Sequence, residues 1–286
     1  MKHLVTRALA RLRRHGAVDK DRDRLAATMP MNPVGSDLYL VAFPKSGVTW
    51  LSFLLANVNL LLSGEQQRRA TLFNISDLIP DIHTNRNLSN ATTAAPGFRV
   101  IKSHSGYHPG YTKVLLLVRH PIHVMASYYV YSTALNQFTG SIEDMVEDEH
   151  LGINAWVRHT AGWLDKARPE ISFRLIRYED FLTQPSRCLR ELYELWGIDV
   201  SDDIISTATE RSNLTAMAAD EQRFNAGHPA LSGFEFVRRR EDREPRCLIS
   251  DVLRARILDT ARPITERLGY ECHGKPDYER GPGFVI

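Results

Sequence analysis

The sequence has few cysteines, and their spacing to one another and to histidines is not typical of a metal site. Its three cysteines are far apart and odd in number in a chain of 286 residues: Cys188, Cys247 and Cys272. Such a set argues against a disulfide framework and favours a reducing compartment, so we expect a cytoplasmic protein. No cysteine–histidine spacing is typical of a metal site, and no metal enters the predictions.

Long apolar runs and a strong net charge are also absent. The longest apolar run lies within residues 50–62, where Ser52, Asn57 and Asn59 interrupt it, and it is too short to span a membrane. Residues 1–15 carry lysine or arginine throughout and lack the apolar centre of a secretory signal. The net charge of +2 does not by itself indicate nucleic-acid binding, so we predict no nucleic-acid partner and expect any anion preference to be local.

What the sequence does contain is short apolar segments that alternate with helical periodicity. Hydrophobic residues make up 43% and charged residues 24% of the chain, which is ordinary for a globular protein. The alternation predicts an α/β fold. Strands are predicted at residues 38–43, 98–101, 113–118 and 173–176. Helices are predicted at residues 50–62, 141–167, 204–217 and 250–268, with a flexible polar segment at 220–233.

The first predicted strand leads through a polar loop, residues 44–49, into a helix. Free backbone N–H groups and the positive end of the helix dipole meet at such a point and favour anions. Gly47 allows close approach of the backbone to an anion, and Lys45 adds a positive charge. The stretch predicts a phosphate clamp; the alternative is a turn that merely links strand to helix.

The loop differs from the nucleotide-triphosphate loop, since Lys45 precedes the glycine and no Ser or Thr follows a Gly-Lys pair to hold magnesium. Its Pro-Lys-Ser-Gly-x-Thr-Trp pattern closely resembles the 5′-phosphosulfate loop of cytosolic-type sulfotransferases that use 3′-phosphoadenosine 5′-phosphosulfate (PAPS). The family usually has Thr at the position of Val48. The resemblance implies that the loop holds the 5′-phosphate of the donor through Lys45, Ser46, Gly47, Val48, Thr49 and Trp50.

A Lys-Ser-His triplet follows the second predicted strand, at the sheet edge where ligands bind in parallel α/β folds. The triplet is similar to the family's Lys-Thr/Ser-His segment, which implies that His104 is the general base. A lone histidine is more often structural, but the upstream loop and Lys102 favour the catalytic interpretation. Lys45 and Lys102 are expected to neutralise charge on the transferred and leaving oxygens.

Arg119 leaves the third predicted strand, and Ser127 lies eight residues later in the next helix. A guanidinium and a hydroxyl at this spacing can grip one phosphate. The pattern Val-Arg-x-Pro-x-x-x-x-x-Ser-Tyr-Tyr strongly resembles the family's 3′-phosphate site, and Ser127 is counted with the catalytic residues as well. The alternative is an arginine that caps a helix and a serine that bonds back to its own helix.

Three weaker segments complete the predicted donor site. Tyr178, in Arg-Tyr-Glu-Asp, corresponds to the family tyrosine that lies against the nucleotide. Ser212 and Leu214 match a family segment that contacts adenine, with Leu214 in place of an aromatic residue. Arg238 and Arg239 fit a loop over the 3′-phosphate, although position 240 has Arg where Gly is usual. The alternative for that run is a charged surface loop.

The resemblance covers about residues 38–268 and implies one α/β domain of the P-loop-kinase-like sulfotransferase fold. Its parallel sheet would have four to five strands with helices on both faces. We set the boundaries at 1–36 for a basic N-terminal segment and linker, 37–270 for the domain and 271–286 for a tail.

The implied reaction moves a sulfuryl group from PAPS to an acceptor hydroxyl, on a small molecule, a glycan or a lipid-linked acceptor, and leaves adenosine 3′,5′-bisphosphate. Two alternatives stay open: an ATP-dependent small-molecule kinase, and a non-catalytic nucleotide-binding protein on the same fold.

Residues 1–24 are basic and helix-prone. They are either an amphipathic helix at the inner membrane surface or, as we favour, a packed helix with a solvated face. The family's dimer segment is absent before Arg238, so the sequence assigns no oligomeric state. His83 is interpreted as a surface histidine.

Overall fold

The computed structural model describes residues 25–88, 98–166, 171–227 and 248–270. The basic segment 1–24, the tail 271–286, and the cations Arg238 and Arg239 lie outside the described residues, so the predictions made for them stay predictions.

Four parallel strands form one sheet in the order β2-β1-β3-β4. Their bounds are β1 (Leu38–Ala42), β2 (Val100–Ser103), β3 (Lys113–Val118) and β4 (Ser172–Arg177). The second strand lies further along the chain than predicted. Lys102 and Ser103 therefore belong to the strand itself, and His104 is the first residue past its end.

Helices connect the strands and cover both faces of the sheet. They are α1 (Val48–Leu62), α2 (Ile75–Leu78), α3 (Pro121–Ala134), α4 (Ile142–Glu147), α5 (Ile153–Lys166), α6 (Tyr178–Thr183), α7 (Pro185–Leu195), α8 (Asp202–Arg211), α9 (Leu214–Ala226) and α10 (Asp251–Arg267).

The central strand β1 is buried along its whole length and divides the core into two layers. Tyr39 and Val41 face a cluster that contains residues of α3, α5 and α10. Leu38, Leu40 and Ala42 face the other cluster, with residues of α1, α7 and α8. Alternating side chains that are buried on both faces are what a parallel sheet between two helical layers requires.

Two predicted helices are interrupted, and one predicted flexible segment is helical. The helix expected at 141–167 is α4 and α5, because the Asp148 carboxylate accepts from the N–H groups of His150 and Leu151 and forms a turn between them. The helix expected at 204–217 ends at Arg211, and the Asn213 side chain caps α9 by accepting from Ala216 N. Residues 220–226, predicted to be flexible, continue α9.

Candidate active site

The loop between β1 and α1 has a backbone shape that requires glycine. Lys45 has a φ of 70° and Gly47 a φ of 94°, both in the left-handed region. A Cβ on Gly47 would also lie 2.3 Å from Cδ2 of Tyr178. The helix begins directly after Gly47, two residues earlier than predicted, so Val48 and Thr49 belong to its first turn, where backbone N–H groups are free of intrahelical partners.

Two buried polar atoms in this region lack partners among the described residues: Oγ of Ser46 and Nε of Arg119. Buried polar atoms are almost always hydrogen-bonded, so each such atom requires an explanation. Both belong to residues predicted to bind a phosphate of the donor.

Arg119 joins the two predicted phosphate sites directly. Its Nη1 donates to the carbonyl oxygen of Lys45 at 3.1 Å. Its guanidinium carbon lies 4.6 Å from the ring centroid of Tyr178, the same ring that contacts Gly47 and packs edge-on against Trp50. The predicted 5′-phosphate loop and the predicted 3′-phosphate arginine therefore share one aromatic wall.

Ser127 lies on the same side of this region. Lys45 Nζ is 4.0 Å from the ring centroid of Tyr131, which is on α3. Ser127 is half-buried and four residues before Tyr131 on that helix, so the two side chains lie on one face. The direct grip of Arg119 and Ser127 on one phosphate stays a prediction.

A buried acid that the sequence analysis did not single out supports the turn after β3. Glu179 accepts from His120 N at 3.0 Å and from the Tyr270 hydroxyl at 2.7 Å. Burial raises the pKa of Glu179, although these hydrogen bonds and the charge of Arg119 oppose the shift. The residue next to Tyr178 thus anchors the backbone that presents Arg119.

His104 is held in the tautomer that a general base needs. Its Nδ1 lies 2.7 Å from the carbonyl oxygen of Ala42, at the end of β1. A carbonyl only accepts, so Nδ1 carries the proton and Nε2 of the neutral ring keeps its lone pair. The backbone N–H of His104 donates to Nε2 of His83 at 2.9 Å. His83, predicted to be a surface histidine, is half-buried, and its side chain bonds to His104.

Lys102 pairs with Asp81, which the sequence analysis did not single out. The Lys102 ammonium is 3.0 Å from the Asp81 carboxylate. Burial opposes ionisation of Asp81, but the positive charge of Lys102 and the nearby His104 and His83 hold its pKa below the usual range. The predicted role of Lys102 at the transferred oxygens stays a prediction.

The predicted adenine segment is used in part to hold α1. The Trp50 indole N–H donates to the carbonyl oxygen of Ser212 at 2.9 Å, and Asn57 donates to the Ser212 hydroxyl at 2.9 Å. Ser212 is completely buried, whereas Leu214 is 38% exposed at the start of α9. Contact of these residues, and of Trp50, with adenine stays a prediction.

Over residues 25–88, 98–166, 171–227 and 248–270, no group of three or more His, Cys, Asp or Glu is placed to hold a metal ion. Over the same ranges, none of the helices has the length and apolar character needed to cross a bilayer.

The family model described as "Sulfotransferase domain" matches residues 35–244. Human Sulfotransferase 4A1 is 24% identical over 196 residues, which cover 64% of this chain and 67% of that protein. Bovine Sulfotransferase 1E1 is 25% identical over 199 residues, which cover 63% and 65%. The chain thus spans about two thirds of the length of these relatives.

Solved structures are similar over a larger share of the chain. Retinol dehydratase in complex with androsterone and PAP superimposes with a TM-score of 0.61 at 16% identity, covering 88% of this chain and 85% of that one. Mouse sulfotransferase SULT7A1 complexed with PAP gives 0.55 at 17% identity, covering 90% and 94%. At these identities the likeness concerns the fold, and it confirms the predicted parallel α/β architecture. With the family match over residues 35–244, it shows that this chain belongs to the sulfotransferase domain family.

Proposed function

We propose that this chain transfers a sulfuryl group from PAPS to an acceptor hydroxyl, leaving adenosine 3′,5′-bisphosphate (PAP). The observation that carries the proposal is the bond from Arg119 to the Lys45 carbonyl, which sets a 5′-phosphate loop and a 3′-phosphate arginine against one tyrosine ring. The family assignment and the PAP in two solved relatives support the same donor.

The residues present fit this donor, which supplies a sulfuryl group on its 5′-phosphate and carries a second phosphate at the 3′ position. A Cβ on Gly47 would fill the place where the loop backbone meets Tyr178. Ser46 Oγ and Arg119 Nε are buried polar atoms without partners among the described residues. We assign Ser46, with Lys45 and the N–H groups of the first turn of α1, to the 5′-phosphate, and Arg119 with Ser127 to the 3′-phosphate.

His104 is the proposed base. Its Nε2 takes the hydroxyl proton while the acceptor oxygen replaces the phosphate oxygen on sulfur. The bond from Nδ1 to the Ala42 carbonyl keeps the ring oriented and stabilises the imidazolium that forms. Lys45 lies on the donor side and neutralises charge on the departing phosphate oxygens, so positioning and electrostatics supply most of the rate.

Two other functions predict different ligands. A small-molecule kinase would use ATP with magnesium, but the loop lacks the Gly-Lys-Ser/Thr pattern that holds the metal. A non-catalytic binding protein would have no need of a base in the correct tautomer, and His104 is held in that form.

The first test is thermal unfolding with PAP and, separately, with ATP and magnesium. At 100 times its Kd, PAP should raise Tm by about 5–10 °C, because a ligand at that level adds about 2.7 kcal/mol of stability. ATP with magnesium should leave Tm nearly unchanged. The reverse pattern would favour the kinase.

The second test is transfer of labelled sulfate from PAPS to a panel of hydroxyl acceptors, with mass spectrometry of the product. Sulfated product is expected. Tight PAP binding without turnover on any acceptor would favour the non-catalytic protein.

We propose a hydroxyl-bearing small molecule or glycan as the acceptor; the relative solved with androsterone supports a small molecule. We further propose a cytoplasmic location; contact of residues 1–24 with an anionic membrane surface is the alternative to the packed helix that we favour. Co-sedimentation of the full chain and of a chain lacking residues 1–24 with anionic and neutral vesicles tests this contact, which requires retention of the full chain on anionic vesicles alone.

A further inference from the structure

An irregular segment before residue 84 extends the sheet beside β2. Lys102 N donates to the Pro80 carbonyl at 2.9 Å, and Ile82 N donates to the Lys102 carbonyl at 3.1 Å. These bonds form a parallel bridge between Asp81 and Lys102. Continuing the register by two residues places His83 beside His104, just past the end of β2.

The contact between the two histidines is specific. The His104 N–H donates to His83 Nε2 at 2.9 Å, and the two rings are nearly parallel with centroids 6.0 Å apart. Since Nε2 of His83 accepts, this nitrogen has no proton and the ring is neutral. The backbone of His83 is itself fixed, because its N–H donates to the Asp81 carboxylate at 2.9 Å.

His104 is therefore held at two points. The Ala42 carbonyl fixes its Nδ1, and His83 fixes its backbone nitrogen. In the proposed reaction, Nε2 is the ring nitrogen that takes the acceptor proton. A rotation or shift of this base of about 1 Å can cost on the order of 100-fold in rate.

We propose that neutral His83 is a positioning residue for the base His104, and that protonation of His83 releases His104 from its productive orientation. This proposal rests on the proposed sulfuryl transfer. In this proposal His83 acts through the backbone of His104, to which it bonds, and His104 takes the acceptor proton.

Charged and titratable groups near His83 include Asp81, Lys102, His104 and His159. Asp81 is paired with Lys102, so much of its charge is already balanced. His159 is buried in α5, and burial lowers its pKa to about 4, so it stays neutral. Protonation of His104 would remove the base, whereas protonation of His83 would remove the acceptor of the His104 N–H, so the two events would stop transfer for different reasons.

The test compares His83→Gln with His83→Asn. The Gln side-chain oxygen reaches the position of Nε2 and still accepts from His104, whereas the Asn oxygen is one methylene too short. We expect kcat of His83→Gln within about threefold of wild type and kcat of His83→Asn lower by about 10- to 100-fold. PAP affinity should be unchanged in both. Equal kcat values for Asn and wild type, or equal losses in Gln and Asn, would overturn the proposal.

A pH profile separates positioning from a merely structural role. The acid limb of log kcat/KM should have a slope near two in the wild type, from two protonations, and near one in His83→Gln. Identical slopes would also overturn the proposal. If the wild type neither binds PAP nor transfers sulfate, the proposed function itself fails; turnover with unaffected variants refutes the role of His83 alone.

Discussion

At the scale of single residues, the loop between β1 and α1 requires glycine at position 47 for two separate reasons. Gly47 has a left-handed backbone, and its Cα faces the Tyr178 ring at a distance that leaves no room for a side chain. The first reason is a conformational preference, and the second is steric. A matched residue exists in Gly64, which has a φ of 78° but open space around its Cα.

Gly47→Ala should therefore lose more than Gly64→Ala. We expect Gly47→Ala to destabilise the fold by about 1–3 kcal/mol and to weaken PAP binding at least tenfold, because Tyr178 must move away from the loop. Gly64→Ala should cost about 1–2 kcal/mol and leave PAP binding intact. Urea unfolding and titration calorimetry measure both effects. Equal PAP affinities in the two variants would contradict the assignment of Gly47 to the 5′-phosphate loop.

His104→Ala should separate chemistry from donor binding. Transfer should fall at least 100-fold, in the range typical for the loss of a general base. PAP affinity should persist, because the His104 ring is held by its bond to the Ala42 carbonyl and the phosphates are assigned to other residues. Turnover and calorimetry on the same preparation measure the two quantities. A folded variant that no longer binds PAP would refute this division of labour.

At the scale of elements, α1 is a nearly apolar helix, and its buried Asn57 links it to distant segments. Asn57 is completely buried; it donates to the Ser212 hydroxyl at 2.9 Å and accepts from Ala70 N at 2.9 Å. Ser212 in turn accepts from the Trp50 indole. One amide therefore connects the helix that follows the loop to the C-terminal end of α8 and to Ala70.

Asn57→Leu should destabilise the protein even though it makes the helix more apolar. Two buried groups lose their partner, at about 1–3 kcal/mol each, so we expect a total of about 2–6 kcal/mol. The control is Ser52→Ala on the same helix, where the hydroxyl bonds only to the Val48 carbonyl within its own helix. That change should cost about 1 kcal/mol or less. Urea unfolding of both variants measures the difference. Equal losses in the free energy of unfolding would show that the bonds of Asn57 to distant segments do not stabilise the fold more than a bond within the helix.

The sequence predicts those features that depend on neighbouring residues and misses those that depend on contacts between distant segments. The strands and the phosphate loop were predicted because apolar runs, Gly47 and Lys45 are local signals. Asp81 and His83 were not recognised, since their role depends on an irregular segment that pairs with β2. The break before α9 was missed because the capping Asn213 lies within a continuous helical pattern, although Asn is itself a known cap signal.

At the scale of the whole molecule, burial keeps the side chains of His120 and His159 in the neutral form. Burial lowers the pKa of His120 and of His159 to about 4, from an ordinary value of 6.5. Neither ring nitrogen of His159 has a well-aligned hydrogen bond among the described residues, although the backbone of His104 and Ser105 is near. The unfolded chain takes up these protons at a higher pH than the folded one.

Stability should therefore be complete above about pH 6.5 and fall as the pH drops toward 4. Each histidine contributes about 1.4 kcal/mol per pH unit in that window. His159→Phe, which keeps a ring against Phe43, should remove one of the two contributions. Urea unfolding from pH 7 to 4.5 gives the slope for each protein. A variant with the wild-type slope would show that His159 is not neutral in the folded state.

The packing of Arg119 against the Tyr178 ring also suggests how the protein would discriminate against ATP. Arg119 Nε is already buried without a partner among the described residues of the ligand-free protein. A donor with a 3′-phosphate would supply the missing acceptor, whereas ATP would leave this atom unsatisfied. Because the same guanidinium is tied to the Lys45 carbonyl, it is restrained from swinging out to water for relief. Selectivity for a 3′-phosphorylated donor over ATP would then come from a buried nitrogen that only the 3′-phosphate can satisfy. Steric exclusion of the longer phosphate chain of ATP would not be required.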